Sequence, residues 1–192
     1  MMITSPVVRR AALLAALLAA AGLHAAEVAG VKVDETVRVG SNELLLNGAG
    51  LRSKLWVKVY VGALYVGHKA ASAAAIVDGS GPRRMQLRLL RDLDAESLHA
   101  ALDEGLRNNH SPAEFAELAG QAGQLAAIMK GIGKVREGDT VAIDFTADGV
   151  AVGLNGEARG KVAGGAFAKA LLKVWLGDKP ADASLKKALL GS

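Results

Sequence analysis

An α+β fold, with a large mainly antiparallel sheet covered by helices, follows from three observations on this sequence. Two hairpin signals, Asp148-Gly149 and Asn155-Gly156, stand close together, each flanked by alternating apolar and polar residues. Upstream lies a helical block with a complete capping signature, Ser111-Pro112-Ala113-Glu114. No strand–helix–strand alternation of the kind that builds a parallel sheet runs through the chain.

The first residues stand apart from that core. Arg9 and Arg10 precede an apolar run from Ala11 to Leu23, and small residues follow at Ala25 and Ala26. This is the pattern of a secretory signal peptide over residues 1–26, cleaved after one of those alanines and delivering the protein to the periplasm. The run falls short of the roughly 20 residues that span a bilayer, so no transmembrane segment is expected after cleavage. The remainder, 27–192, is expected to form one domain.

Within that domain Val33 to Val39 alternates as a first strand, Ser41-Asn42 turns the chain, and a second strand starts at Glu43. The stretch NGAGLRSKLWVKVYVGALYVG, Asn47 to Gly67, reads as a continuation into one very long strand. A straight strand of that length would be several times the usual one, so a bend is expected, with Gly62 as its natural place. Alternation sets Leu55, Val57, Val59, Val61 and Ala63 toward the helices, and Arg52, Lys54, Trp56, Lys58, Tyr60, Leu64 and Val66 on the other face. A bulge at Gly62 would bring Tyr65 round to the side of Arg52.

An alanine-rich helix from Ala70 to Val77 is stopped by Asp78-Gly79-Ser80-Gly81-Pro82, and Arg84 to Leu90 is a further strand. Asp94 is placed to cap a helix over Ala95–Arg107, whose apolar line is Leu98, Leu102 and Leu106; Asn108-Asn109 ends it. The helix opened by Ser111 runs to about Lys130, where Gly131 and Gly133 stop it. A meander follows over Thr140–Thr146, Val150–Leu154 and Glu157–Val162. The chain closes with a helix over Ala166–Leu176, carrying Phe167, Leu171, Val174 and Trp175 on one side, and a last one over Ala183–Leu190 capped by Asp182.

Several function classes are excluded. Removing Arg9 and Arg10 from the 23 basic residues leaves 21 against 19 acidic ones, which is no electrostatic footprint for nucleic acid. With no cysteine there is neither disulfide nor thiol chemistry. His68, His99 and His110 have no metal-ligand spacing, so no metal is expected. Asp92, Asp94 and Glu96 are read as answers to a helix dipole rather than as a cation site. Gly131-Ile132-Gly133-Lys134 follows a helix and is a C-cap, and no nucleophile elbow, zinc-protease motif or phosphate loop occurs. No cofactor is implied, and the oligomeric state stays open.

Two segments carry a resemblance. GAGLRSK followed by WVKVYVGALYV is similar to the opening strands of the chalcone isomerase-like family, and ALLKVWLGDKPADASLKKALLG resembles its closing helices. The chain is identified on these grounds as a bacterial, exported member. The resemblance implies an open-faced β-sandwich with a ligand cleft between sheet and helices. Plant members cyclise chalcones to flavanones, whereas other members bind fatty acids, an arginine holding the carboxylate with help from a tyrosine. On this sequence the arginine matches Arg52 and that tyrosine matches Tyr65; Tyr60 falls where the isomerases keep a threonine on the long strand. The isomerases also use a tyrosine and an asparagine near the start of the helical region. Between Arg91 and Arg107 this chain has neither, and Asn108 and Asn109 come too late. The resemblance therefore implies a non-catalytic binder of a small amphipathic carboxylate at Arg52, Tyr65 and Tyr60. Its alternatives are an intramolecular lyase using Arg52, with Tyr60, and an interaction module in which Arg52 makes a structural ion pair with Glu43 or Asp144.

Overall fold

The computed structural model describes residues 26–192; the leader read at residues 1–26 lies outside that span except for Ala26. A small hairpin comes first, β1 (Ala26–Val28) with β2 (Val31–Val33). Then follow β3 (Thr36–Val39), β4 (Asn42–Lys54), β5 (Val57–Val66), α1 (Ala73–Asp78) and β6 (Arg83–Leu89). The helical block consists of α2 (Ala95–Asn108) and α3 (Pro112–Ile132), framed by two short strands, β7 (Leu93–Asp94) and β8 (Lys134–Val135), that pair with each other. The chain ends with β9 (Thr140–Thr146), β10 (Gly149–Leu154), β11 (Glu157–Ala163), α4 (Gly165–Leu176) and α5 (Ala183–Leu189). Seven strands form one antiparallel sheet in the order β11-β10-β9-β6-β5-β4-β3.

Local chemistry explains most of these elements. In β9, Val141, Ile143 and Phe145 point into the core while the residues between them are half-buried, the alternation of a one-sided strand. At the start of α3 the Ser111 hydroxyl accepts from the Glu114 amide, and the Glu114 carboxylate accepts from the Ser111 amide at 2.7 Å. Asp182 accepts from the Leu185 amide at 2.9 Å and so starts α5. Asp94 stands at the N-cap of α2 without bonding it by its side chain. Strand pairing does that work instead, since the Ala95 amide donates to the Gly133 carbonyl at 2.8 Å.

The five helices of the described residues pack on one side of the sheet, in a core containing Leu64, Met85, Leu102, Leu125, Phe145, Phe167, Leu171 and Trp175. A fully buried large apolar side chain contributes about 1.5–3 kcal/mol, so Phe167, Leu171, Leu172 and Trp175 anchor α4 as the central helix. The other face carries a second, smaller core. There the β1–β2 hairpin folds over Val61, Ala63 and Tyr65 of β5.

This region overturns three expectations. Tyr60, Leu64 and Val66 face the helices, whereas Val61 and Ala63 face the small hairpin, the reverse of the assignment made by alternation. Both faces of β5 are buried, so apolar alternation cannot tell them apart. Nor is the stretch from Asn47 one strand: it is the β4–β5 hairpin, turning through Leu55 and Trp56 between the paired Lys54 and Val57. The turn contains no Gly, Asn or Pro. Leu55 takes the left-handed conformation at φ 56°, a position that glycine or asparagine normally fills. Register shifts fall at Asn47 and Val59, not at Gly62, which pairs regularly opposite Gly50.

Candidate functional site

Arg52 near the end of β4 and Tyr60 near the start of β5 are direct cross-strand partners. The shift at Val59 sets that register. The Arg52 guanidinium carbon lies over the Tyr60 ring, 5.7 Å from its centroid. Arg52 is half-buried, and its Nε is buried without a hydrogen-bond partner. Among the described residues Arg52 makes no ion pair. The structural pair considered with Asp144 is ruled out, because Asp144 is held on both oxygens by Arg84 across β6 and β9, at 2.5 and 2.8 Å.

Tyr60 is 2% exposed, and its oxygen accepts from the indole Nε1 of Trp175 on α4 at 3.0 Å. Burial pushes the Tyr60 phenol up to about 12. The Arg52 cation and the Trp175 hydrogen bond oppose that rise, and the Asp182 carboxylate adds to it. The hydroxyl therefore keeps its proton at any physiological pH. Since Trp175 occupies the oxygen as a donor, that proton is left to be given to an acceptor. A cationic fork and a neutral hydroxyl thus stand side by side at one end of the helix-covered face.

The surface next to them is made of glycines. A Cβ on Gly50 would lie 2.6 Å from the Cβ of Ala188 and 3.2 Å from Leu185, and one on Gly62 would meet Met85 at 2.7 Å. Gly48 is tighter still, since its Cβ would sit 2.1 Å from the Ala188 carbonyl oxygen. These glycines form a side-chain-free trough in β4 and β5, and α5 lies in it with Leu185 pointing down. This is the physical content of the NGAG run: close approach, not a bend.

The remaining predicted residues are placed elsewhere. Tyr65 does not join Arg52; it sits on the opposite face, fully buried, and its hydroxyl donates to the Asp34 carbonyl at 3.0 Å. Without a shift at Gly62 its odd position in β5 cannot turn to the helix side. Lys54 and Lys58 are exposed at the hairpin end, and Glu43 lies in the β3–β4 pairing, exposed. His110 contacts the Leu106 carbonyl through Nδ1 at 2.8 Å, and His68 is exposed. No cluster able to hold a metal occurs among the described residues.

Sequence reasoning missed two asparagines and a groove. Asn47, the shifted residue of β4, is buried and donates to the carbonyls of Ala70 and Leu189 at 3.0 and 2.7 Å. It also accepts from the Ala70 amide at 2.8 Å. It ties the sheet to the end of α5. Asn109 ties the α2–α3 loop to the α4–α5 loop, donating to Gly105 and Lys179 carbonyls and accepting from the Lys179 amide. Leu189 and Lys179 are remote in sequence from these asparagines, so no local signal could reveal the two ties. The groove, about 640 Å³, opens between the β1–β2 hairpin and the outer sheet face; Lys32, Asp34, Gln86, Arg88, Thr140 and Asn155 are among its walls. Its polar side chains suit an apolar tail poorly, and Arg88 is engaged with Thr140 at 2.9 Å.

A family model described as chalcone isomerase-like matches residues 25–191. The fold is similar to the crystal structure of a fatty-acid binding protein from Arabidopsis thaliana, with a TM-score of 0.68 at 16% identity, covering 84% of this chain and 92% of that one. Among curated proteins nothing matches.

Proposed function

The chain belongs to the chalcone isomerase-like family, and on that premise we propose that it is an exported, non-catalytic binding protein for a fatty acid or a similar amphipathic carboxylate. The observation that carries this reading is Arg52: a half-buried guanidinium with an orphaned Nε, no ion pair among the described residues, and a protonated tyrosine hydroxyl beside it. A carboxylate satisfies that fork with two parallel charge-assisted hydrogen bonds. Tyr60, rather than Tyr65, assists. The fold shared with a fatty-acid binding protein supports the ligand class, and the basic, apolar, small-residue leader supports the periplasm.

Native mass spectrometry of protein recovered from cells should show a lipid-sized adduct that delipidation removes. The purified protein should then bind a long-chain fatty acid about ten- to a hundredfold more tightly than the alcohol of equal length, the range of a charge-assisted pair. Arg52→Ala should abolish that preference. Protein recovered empty, together with equal preferences in wild type and variant, would end this reading. Cell fractionation tests the location.

A further inference from the structure

Among the described residues four large apolar side chains are exposed, and three of them are consecutive: Leu55, Trp56 and Val57, at 84, 95 and 44%. They form the tip of the β4–β5 hairpin and are flanked by exposed Lys54 and Lys58, one on each strand. Two costs are accepted at once here. A leucine occupies a left-handed backbone position, and the indole of Trp56 stands almost wholly in water. An ordinary two-residue turn needs neither.

We propose that this tip docks the protein on an anionic lipid surface. A projecting apolar point fits into a soft interface, whereas a protein partner would have to provide a matching pocket. Tryptophan is the side chain that settles at the level of lipid headgroups, with its ring in the acyl boundary and its N–H in the wet layer. The two lysines can lie with their stems along the tip and their ammonium groups among phosphates. Charge complementarity selects the sign of the surface. No acidic residue occurs between Glu43 and Asp78, while Arg52, Lys54, Lys58 and Lys69 fall within that span. Attraction of each cation to an anionic leaflet is of the order that holds juxtamembrane basic segments in place. Nothing in this proposal depends on what Arg52 binds.

The test uses ligand-free protein and vesicles of phosphatidylcholine, alone or mixed with phosphatidylglycerol. Trp56 is exposed and Trp175 is buried, so docking should blue-shift the emission of Trp56, and lipids brominated in their acyl chains should quench it. Co-sedimentation should occur with the anionic vesicles and weaken as salt is raised. Trp56→Ser and the pair Lys54→Glu, Lys58→Glu should each lower vesicle partitioning at least about tenfold, with circular dichroism unchanged. Comparing variants with wild type cancels any contribution of residues 1–25. Absence of a shift and of quenching overturns the proposal. So does vesicle binding that the variants leave intact, or concentration-dependent dimerisation that Trp56→Ser abolishes, which would make the tip a contact between copies.

Discussion

Tyr60 and Tyr65 are the only tyrosines in the chain, so an alkaline titration reports on the interior of the sheet and on nothing else of that chemistry. Burial pushes Tyr60 up to about 12. It raises Tyr65 as well, helped by the Asp34 carboxylate and opposed by Arg84. An unfolded tyrosine ionises near pH 10. Both folded values lie above the unfolded one, so the native state holds these protons longer. The stability this represents is fully present below about pH 10 and is lost as pH rises through about 12. For Tyr60 the gap of about two units corresponds to about 3 kcal/mol. At pH 11 a folded Tyr60 would be about one-tenth ionised and an unfolded tyrosine about nine-tenths. Tyrosinate absorbance and far-ultraviolet circular dichroism, followed together, should therefore stay native to about pH 11 and then change in one cooperative step. Tyr60→Phe should halve the tyrosinate amplitude of that step. It should also cost about 1–3 kcal/mol, because the buried Trp175 indole loses its acceptor. Tyrosinate appearing gradually around pH 10, with the dichroism unchanged, would refute the reasoning: a phenol would be open to water, and Tyr60 could not serve as a permanently protonated donor.

Other substitutions probe the scaffold. Asn47→Ala removes three hydrogen bonds of a buried side chain and should cost about 3 kcal/mol or more in urea unfolding, with amide exchange accelerated first in α5. Gly48→Ala should be destabilising by at least about 1–3 kcal/mol, since the new Cβ meets a backbone oxygen of α5. Gly120→Ala, on the exposed side of α3 with open space at its Cβ, should instead gain about 0.5–1 kcal/mol. Leu55→Asn should raise the melting temperature slightly, because asparagine tolerates the left-handed turn at less cost than leucine.

What could be read in advance follows from the range of the interactions involved. The meander was legible because Asp148-Gly149 and Asn155-Gly156 carry their turn chemistry within two residues, and α3 because its capping box closes over four. The β4–β5 turn was not, because Leu55 and Trp56 continue the apolar period of their strands instead of breaking it. The faces of β5 were not legible either, because the small hairpin buries the side that a one-sided sheet would leave wet. Arg52 and Tyr60 show how the two effects combine. In an unbroken strand they would share a face but stand roughly 26 Å apart; the hairpin makes them neighbours. Asn47 reaches across 142 positions to Leu189, a contact that only the folded chain defines.

The three cations between Asn47 and Gly67 now have separate physical circumstances, set by their distance from one turn. Lys54 and Lys58 flank it and remain in water. Arg52, two residues further from the tip than Lys54, is the first to pass under the helices, where its guanidinium meets Tyr60 and loses part of its hydration. At about 3.3 Å per residue Arg52 lies on the order of 10 Å from Leu55. That is comparable with the depth of a headgroup layer, about 5–8 Å on each side of a hydrocarbon core about 30 Å thick. A tip seated at the acyl boundary therefore holds Arg52 near the outer edge of the headgroups, where a fatty acid presents its carboxylate to water. An arginine placed there would reach the head group before the tail has left the bilayer, so the tail need never be fully exposed to water. If both proposals hold, docking and binding reinforce each other through the geometry of a single hairpin. The two remain separable, because tip variants should slow exchange of fatty acid with vesicles while leaving affinity for the monomeric ligand unchanged, and Arg52→Ala should do the reverse to affinity without releasing the protein from the surface.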